Sequence, residues 1–385
     1  MSADSKLKTQ NSKSRKLVLL LLRWFSLNAR DLPWRRTHDP YAIWVSEIML
    51  QQTQVKTVIP YWERWMRELP TIRAAASASS NKIHKLWEGL GYYTRARNLQ
   101  KAARQIVERH EGNFPRHFDD VLALPGIGRY TAGAICSIAF NQPTPVLDGN
   151  VIRVLTRIFG IAENPREKET NLSLWWIAEE LVRRAKNAKV TKEKVSSRTS
   201  RPSRETNSCS FFNQSLMELG ALVCTPRNAQ CGICPVKRLC VAFRENRVAE
   251  LPNVGKRLTA TARHFAAFVC ERNGRFYVRQ RPAGVVNAHL WEFPNTETPN
   301  GRFDPKLAAQ KLLGIETLKL EPLCTVKHSI TRYRITLEAF AVRLNALPAR
   351  NNGSWKRPVE MRQLAFTAAH KKLASVAFKC ILFDR

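Results

Sequence analysis

Cys224, Cys231, Cys234 and Cys240 fall in the spacing C-x6-C-x2-C-x5-C, and four thiols this close along a chain can close one cage around a metal or cluster. Zinc accepts four thiolates tetrahedrally. Zinc ribbons, however, bring two CxxC knuckles from separate stretches, so this single uneven loop suits a cubane iron–sulfur cluster better. Buried or disulfide-bonded cysteines are the plain alternative. The other five cysteines, Cys136, Cys209, Cys270, Cys324 and Cys380, are scattered singly and bring the total to nine. An odd, dispersed set does not look like a secreted disulfide framework and fits a reducing compartment. The cage alone names no reaction.

Leu124-Pro125-Gly126-Ile127-Gly128 is the second informative stretch. Gly126 and Gly128 permit a tight turn whose backbone N–H groups face outward at a helix N-terminus, an arrangement that holds a phosphate. Arg129 follows directly. A glycine cap between two packed helices is the simpler reading. Charge favours the phosphate: 63 Lys+Arg against 31 Asp+Glu give a formal net charge of +32, more than solubility requires, which implies a polyanionic partner. A membrane surface would draw the same charge, but the apolar run Leu17–Leu22 stops at Arg23, too short to span a bilayer and undersized for a signal peptide. An opening helix and a cytoplasmic protein are expected.

The 385 residues suffice for two domains. Residues 1–15 read as a basic disordered arm. From 16 to 247 the apolar spacing is helical, as at Val121–Leu124 and again at Ile135, Ile138 and Ala139, so this part is expected to be all-α. Residues 186–210, with lysines and arginines among Ser and Thr, read as a flexible basic insertion, either a phosphate-touching loop or a solvated one without a task. A linker is expected over 248–263. Beyond it, alternation at Phe265–Cys270, Phe276–Arg279, Cys324–Val326 and Tyr333–Val342, with turn signals at Asn273-Gly274 and Asn352-Gly353, predicts a smaller α+β domain over 264–385.

Ser46-Glu47-Ile48-Met49-Leu50-Gln51-Gln52-Thr53-Gln54-Val55, Gly89-Leu90-Gly91-Tyr92-Tyr93, the glycine turn, Asp148-Gly149-Asn150-Val151 and the cysteine cage occur in the order found in the helix-hairpin-helix DNA glycosylases. The chain most resembles the adenine DNA glycosylases of the MutY type, from about residue 17 to 345. The resemblance implies a helix-hairpin-helix glycosylase domain whose cage holds a [4Fe–4S] cluster, followed by a MutT-like (Nudix-like) domain. It also implies a monomer acting on double-stranded DNA that carries adenine opposite 8-oxoguanine or guanine.

Cleaving the bond from sugar to adenine requires a better leaving group and support for the positive sugar left behind, work that two carboxylates can do. Glu47, flanked by Trp44, Ile48 and Met49, sits where its charged form is disfavoured, as a general acid requires. The resemblance assigns it to adenine N7. Asp148, before the Gly149-Asn150 turn, is expected to be held ionised by local donors near the sugar, as electrostatic partner or nucleophile, with Asn150 beside it. A surface Glu and an Asx-turn Asp are the ordinary alternatives. Endonuclease relatives that act on thymine glycol carry a lysine two residues after the hairpin's last glycine, where it forms a Schiff base with the sugar. Here the residue is Tyr130, which cannot form an imine, so base excision without strand cleavage is expected.

The resemblance further places Gln52 and Tyr92 at intercalating positions and Arg30, Leu32, Trp34, Arg35 and Glu218 around the adenine pocket. Leu290-Trp291-Glu292-Phe293-Pro294 resembles the family's LWEFP turn. No cluster of glutamates on a helix follows it, so no phosphohydrolase activity is expected there. The family's Phe-Ser-His triplet beside 8-oxoguanine aligns with Ile330-Thr331-Arg332, a departure that sets a permanent charge where a neutral donor is usual. Two rivals stand against the adenine glycosylase: a glycosylase/lyase acting on oxidised pyrimidines, disfavoured by Tyr130, and a non-catalytic DNA-binding scaffold, disfavoured by the intact Glu47 and Asp148.

Overall fold

Asp39 starts the helix Pro40–Leu50: its side chain accepts from the Tyr41 and Ala42 N–H groups, and Pro40 supplies a preset φ at the first turn. Every residue from Tyr41 to Met49 is buried, so the helix is enclosed on all sides and carries Glu47 into the interior with it. The computed structural model describes residues 3–188, 208–255, 259–299, 303–314, 319–330, 332–343 and 353–383.

The chain divides into two units, Met1–Ala76 with Lys101–Lys256 and Ser77–Gln100 with Arg257–Arg385. The first is helical among its described residues. Helices Ala3–Asn28, Arg129–Phe140, Gly149–Phe159, Lys168–Lys186 and Ser208–Leu222 enclose a core that includes Leu21, Val151, Leu155, Leu181, Phe212 and Leu216. The opening helix runs from Ala3 through most of the segment expected as a disordered arm. The expected basic insertion lies largely outside the described residues. Its two edges belong to the helices ending at Lys186 and starting at Ser208.

The second unit holds a seven-stranded sheet built from β1 (Thr261–Arg272), β2 (Arg275–Gln280), β3 (Trp291–Glu292), β4 (Asn295–Thr298), β5 (Leu320–Ile330), β6 (Tyr333–Arg343) and β7 (Gly353–Lys356). The path runs β3-β2-β1-β6-β5, with β4 beside β1 and β7 beside β2; among the described strands, β1 and β6 are paired in parallel and the other pairs are antiparallel. β1 begins inside the segment expected as linker. Asn273 and Gly274 both adopt left-handed φ, 51° and 70°, which matches the tight turn between β1 and β2 to the strand twist. Strand alternation sends Ala267, Val269, Leu337 and Ala339 toward helix Ala368–Phe383. It sends Ala266, Phe268, Phe340 and Val342 toward helix Pro305–Leu313. No helix among the described residues is long and apolar enough to cross a membrane.

Candidate active site and cysteine cage

Glu47 is 6% exposed. The Tyr130 hydroxyl donates to its Oε2 at 2.9 Å, and the same hydroxyl lies 3.3 Å from Met217 Sδ. Burial pushes the Glu47 carboxyl up, and the Asp148 charge adds to this; the Tyr130 hydrogen bond and the Arg35 charge pull the other way, leaving it at about 7. The shift favours the protonated form, the condition a general acid needs. Met217 gave no sign in the sequence, and its sulfur lies within reach of the Tyr130 hydroxyl.

Asp148 caps helix Gly149–Phe159. Its Oδ1 accepts from the Val151 N–H at 2.8 Å and its Oδ2 from Asn150 Nδ2 at 2.9 Å. These are the local donors expected of it. Burial nevertheless outweighs them and Arg153, and the carboxyl lies above the ordinary aspartate value. Asn150 is fixed in turn, because its Oδ1 accepts from Arg153 Nη2 at 2.8 Å. A Cβ at Gly220 would meet the Asn150 Cβ at 2.7 Å, so only glycine allows helix Ser208–Leu222 this close to Asn150.

Arg153 reaches further. It donates to the carbonyls of Gly220 and Cys224, each at 2.7 Å. One turn later, Arg157 donates to the Leu251 and Thr225 carbonyls at 2.8 Å and to Cys224 Sγ at 3.3 Å. Both arginines are buried. One helix thus carries the Asp148 carboxylate at its start and two guanidiniums that hold the cysteine loop along its length.

Cys224, Cys231, Cys234 and Cys240 line a single cavity with Val154, Arg157, Ile158, Leu219 and Val236. None is in a disulfide. Among the described residues no group of His, Cys, Asp and Glu is placed to hold a metal ion as it stands. The donor set nonetheless fits a thiolate-ligated cluster. The sulfurs ring one space, the Cys231, Cys234 and Cys240 thiols are pushed up first by burial, with the Cys224 thiolate adding to this, and Arg157 offers an N–H to sulfur.

The expected base-pocket residues behave differently. Arg30 and Arg35 both grip Glu218: Arg30 through Nε to Oε1 at 2.8 Å and Nη2 to Oε2 at 2.7 Å, Arg35 through Nη1 and Nη2 at 3.0 Å each. Burial raises Glu218, but the two guanidiniums outweigh it and hold the carboxyl near 2. This is a closed two-to-one ion cluster, so these side chains frame a site and have little freedom to grasp a base. Leu32 and Trp34 are buried, the latter edge-on to Trp62.

Gly126 takes φ 78°, and helix Arg129–Phe140 starts from Gly128, where an added Cβ would meet nothing within 4 Å. The Arg129 guanidinium lies 4.1 Å from the Trp175 ring centre, a cation–π contact that fixes it beside the turn. Gln52 and Tyr92, the expected wedges, are both exposed and both hold left-handed backbone, φ 57° and 48°, an uncommon state for residues with side chains that costs about 1 kcal/mol or more. In the second unit Arg332 follows the β5 end Ile330, stacks 5.2 Å from the Tyr333 ring and donates to its hydroxyl at 3.1 Å. Thr331 lies outside the described residues.

Residues 45–180 match the HhH-GPD superfamily of base excision DNA repair proteins, and residues 265–376 match the NUDIX domain. The chain is 36% identical to adenine DNA glycosylase of Rattus norvegicus over 417 residues, covering 92% of this chain and 77% of that protein. It is 35% identical to adenine DNA glycosylase of Homo sapiens, covering 92% and 73%. A solved structure of a thermostable thymine-DNA glycosylase superposes with a TM-score of 0.52 at 28% identity, over 61% of this chain and 99% of that one.

Proposed function

This chain belongs to the adenine DNA glycosylase family of base-excision-repair enzymes, and from that premise we propose that it flips adenine out of duplex DNA opposite 8-oxoguanine or guanine and hydrolyses its N-glycosidic bond, as a monomer and without cutting the strand. Glu47 delivers a proton to adenine N7 as the bond to the sugar breaks and its electron pair passes to the base. Asp148, held by Val151 N–H and Asn150, faces the positive charge growing at C1′, and water completes the hydrolysis. Tyr130 keeps Glu47 in place and offers no amine for an imine.

The observation that carries this reading is the hydrogen bond from Tyr130 to a buried Glu47 whose carboxyl titrates near 7, at the hairpin position where a lyase needs its lysine. Gln52 and Tyr92 act as wedges, the Gly126–Arg129 turn holds phosphate, and Thr331 with Arg332 addresses the lesion strand. Cys224, Cys231, Cys234 and Cys240 hold a [4Fe–4S] cluster, which when bound acts as a covalent staple for the loop between them.

The glycosylase domain is assigned to 16–247 and the MutT-like domain to 264–385, with β1 reaching back to Thr261 into the linker assigned to 248–263. Single-turnover excision on duplexes with adenine opposite 8-oxoguanine, guanine or cytosine is the test. Release of adenine from the first two, with strands intact until alkali is added and no adduct trapped by borohydride, is expected. Efficient trapping by the natural protein, or no release of adenine, overturns the proposal.

A further inference from the structure

Glu88 ends the helix Ser80–Trp87 and is only 8% exposed. Within the second unit its carboxylate takes three donors: Oε1 accepts from the Phe366 N–H at 3.1 Å, and Oε2 accepts from Lys371 Nζ at 2.7 Å and Lys85 Nζ at 3.0 Å. Lys85 also donates to the Leu364 carbonyl at 3.1 Å. Burial alone would raise this carboxyl, but the three donors outweigh it and hold it below the ordinary glutamate value, so the charged network persists at neutral pH.

Each end of this network leads to a motif. On one side, Phe366 sits in a short backbone bridge to Trp291 of the LWEFP turn: the Trp291 N–H donates to the Ala365 carbonyl at 2.9 Å and the Thr367 N–H to the Trp291 carbonyl at 3.2 Å. On the other side, Glu88 is followed at once by Gly89, Leu90, Gly91 and Tyr92. That turn is stiff, since Trp87 Nε1 donates to the Gly91 carbonyl and Arg95 Nη2 to the Leu90 and Gly91 carbonyls, all at 3.1 Å. A second tie closes behind it, where Arg97 Nη1 donates to the Ala288 carbonyl at 3.1 Å, three residues before Trp291. The loop presenting Tyr92, itself 45% exposed, is therefore tied at both ends within the second unit.

We propose that Glu88 is a positioning residue that couples lesion reading by the Nudix-like region to the Tyr92 wedge. A shift of the LWEFP turn moves Phe366 and Lys371, and through Glu88 moves the turn carrying Tyr92, with no flexible joint between them. This coupling rests on the reading that the substrate is adenine opposite 8-oxoguanine.

Single-turnover excision from A:8-oxoguanine and A:G duplexes by wild type, Glu88→Gln, Lys371→Met and the double variant tests it. Lys371 is 56% exposed, so its replacement leaves folding intact and keeps the test open even if Glu88→Gln proves unstable. The ratio of the two rates should fall about tenfold in each single variant. The A:G rate should stay near wild type, as should the thermal unfolding midpoint of Lys371→Met, and the double variant should be no worse in the ratio than either single one. Variants that keep the wild-type ratio, or that lose both rates equally, overturn the coupling. A wild-type protein with no preference for 8-oxoguanine instead overturns the substrate reading beneath it.

Discussion

Glu47→Gln should abolish excision and yet stabilise the protein, and the stabilisation should grow between about pH 4.5 and 7 and level off above that. The Glu47 carboxyl moves from an ordinary 4.5 to about 7 in the folded protein. An acid whose value is raised by folding is protonated in the native state and ionised in the unfolded state between those two pH values. Stability from that proton is fully present below about 4.5 and is lost as pH climbs through 7. A shift of this size amounts to about 3 kcal/mol withheld from the native state at pH 8. Glutamine fills the same space, its oxygen still accepts from Tyr130, and it carries no charge to desolvate. Urea unfolding of wild type and variant at pH 5, 7 and 8.5 should therefore show little difference at pH 5 and a gain for the variant approaching about 3 kcal/mol at pH 8.5. Titrating groups away from Glu47 are common to both proteins, so the pH-dependent part of the difference reports this carboxyl with its neighbours Asp148 and Tyr130. A difference that does not change with pH, or a variant less stable than wild type at pH 8.5, refutes the reasoning.

The catalytic roles give four further outcomes. Tyr130→Phe removes a donor to the charged form of Glu47 and should move the alkaline limb of the excision rate upward by about one pH unit, from near 7; a limb that stays or falls would count against the hydrogen bond. Asp148→Asn should slow single-turnover excision by about 100-fold or more while duplex binding persists, since one electrostatic contact to the positive sugar is lost. Tyr130→Lys should give borohydride-trapped adduct and strand nicking absent from wild type, because the hairpin then sets an amine beside the sugar carbon. Cys231→Ala should lose iron and open the loop between Cys224 and Cys240 to protease; stoichiometric zinc without iron in the wild-type protein would sink the cluster.

Much of the fold was legible because local rules agree with one another. Strand alternation in Phe265–Cys270 and Tyr333–Val342 and the Asn273-Gly274 turn are features that neighbours in sequence decide, and β1, β6 and the turn from β1 to β2 follow them. The short strands β3, β4 and β7 were not legible. Two to four residues carry no periodicity, and these exist because β1 and β2 offer free edges to pair with. The opening helix was under-read for a related reason: Lys, Arg, Ser and Gln along its first turns are compatible with a helix but supply no apolar face to announce one.

The site divides along the same line. Glu47, Tyr130 and Asp148 are found in sequence because each lies inside a motif, yet what makes them a site is packing across the chain: Glu47 and Tyr130 meet over 83 residues. Met217, Arg153 and Arg157 escaped notice because each belongs to no motif. The arginines did leave a signal, since Asn150, Arg153 and Arg157 recur at helical spacing on a helix that is otherwise mostly apolar, and two cations on such a helix must find carbonyls or sulfur inside the protein. They find the Gly220, Cys224, Thr225 and Leu251 carbonyls and the Cys224 sulfur. Arg30, Arg35 and Glu218 were grouped on motif grounds, and the two guanidiniums are both paired with the Glu218 carboxylate. A motif therefore identifies which residues lie near the chemistry, whereas the partner each charge finds on burial decides whether it reacts, binds or holds others in place.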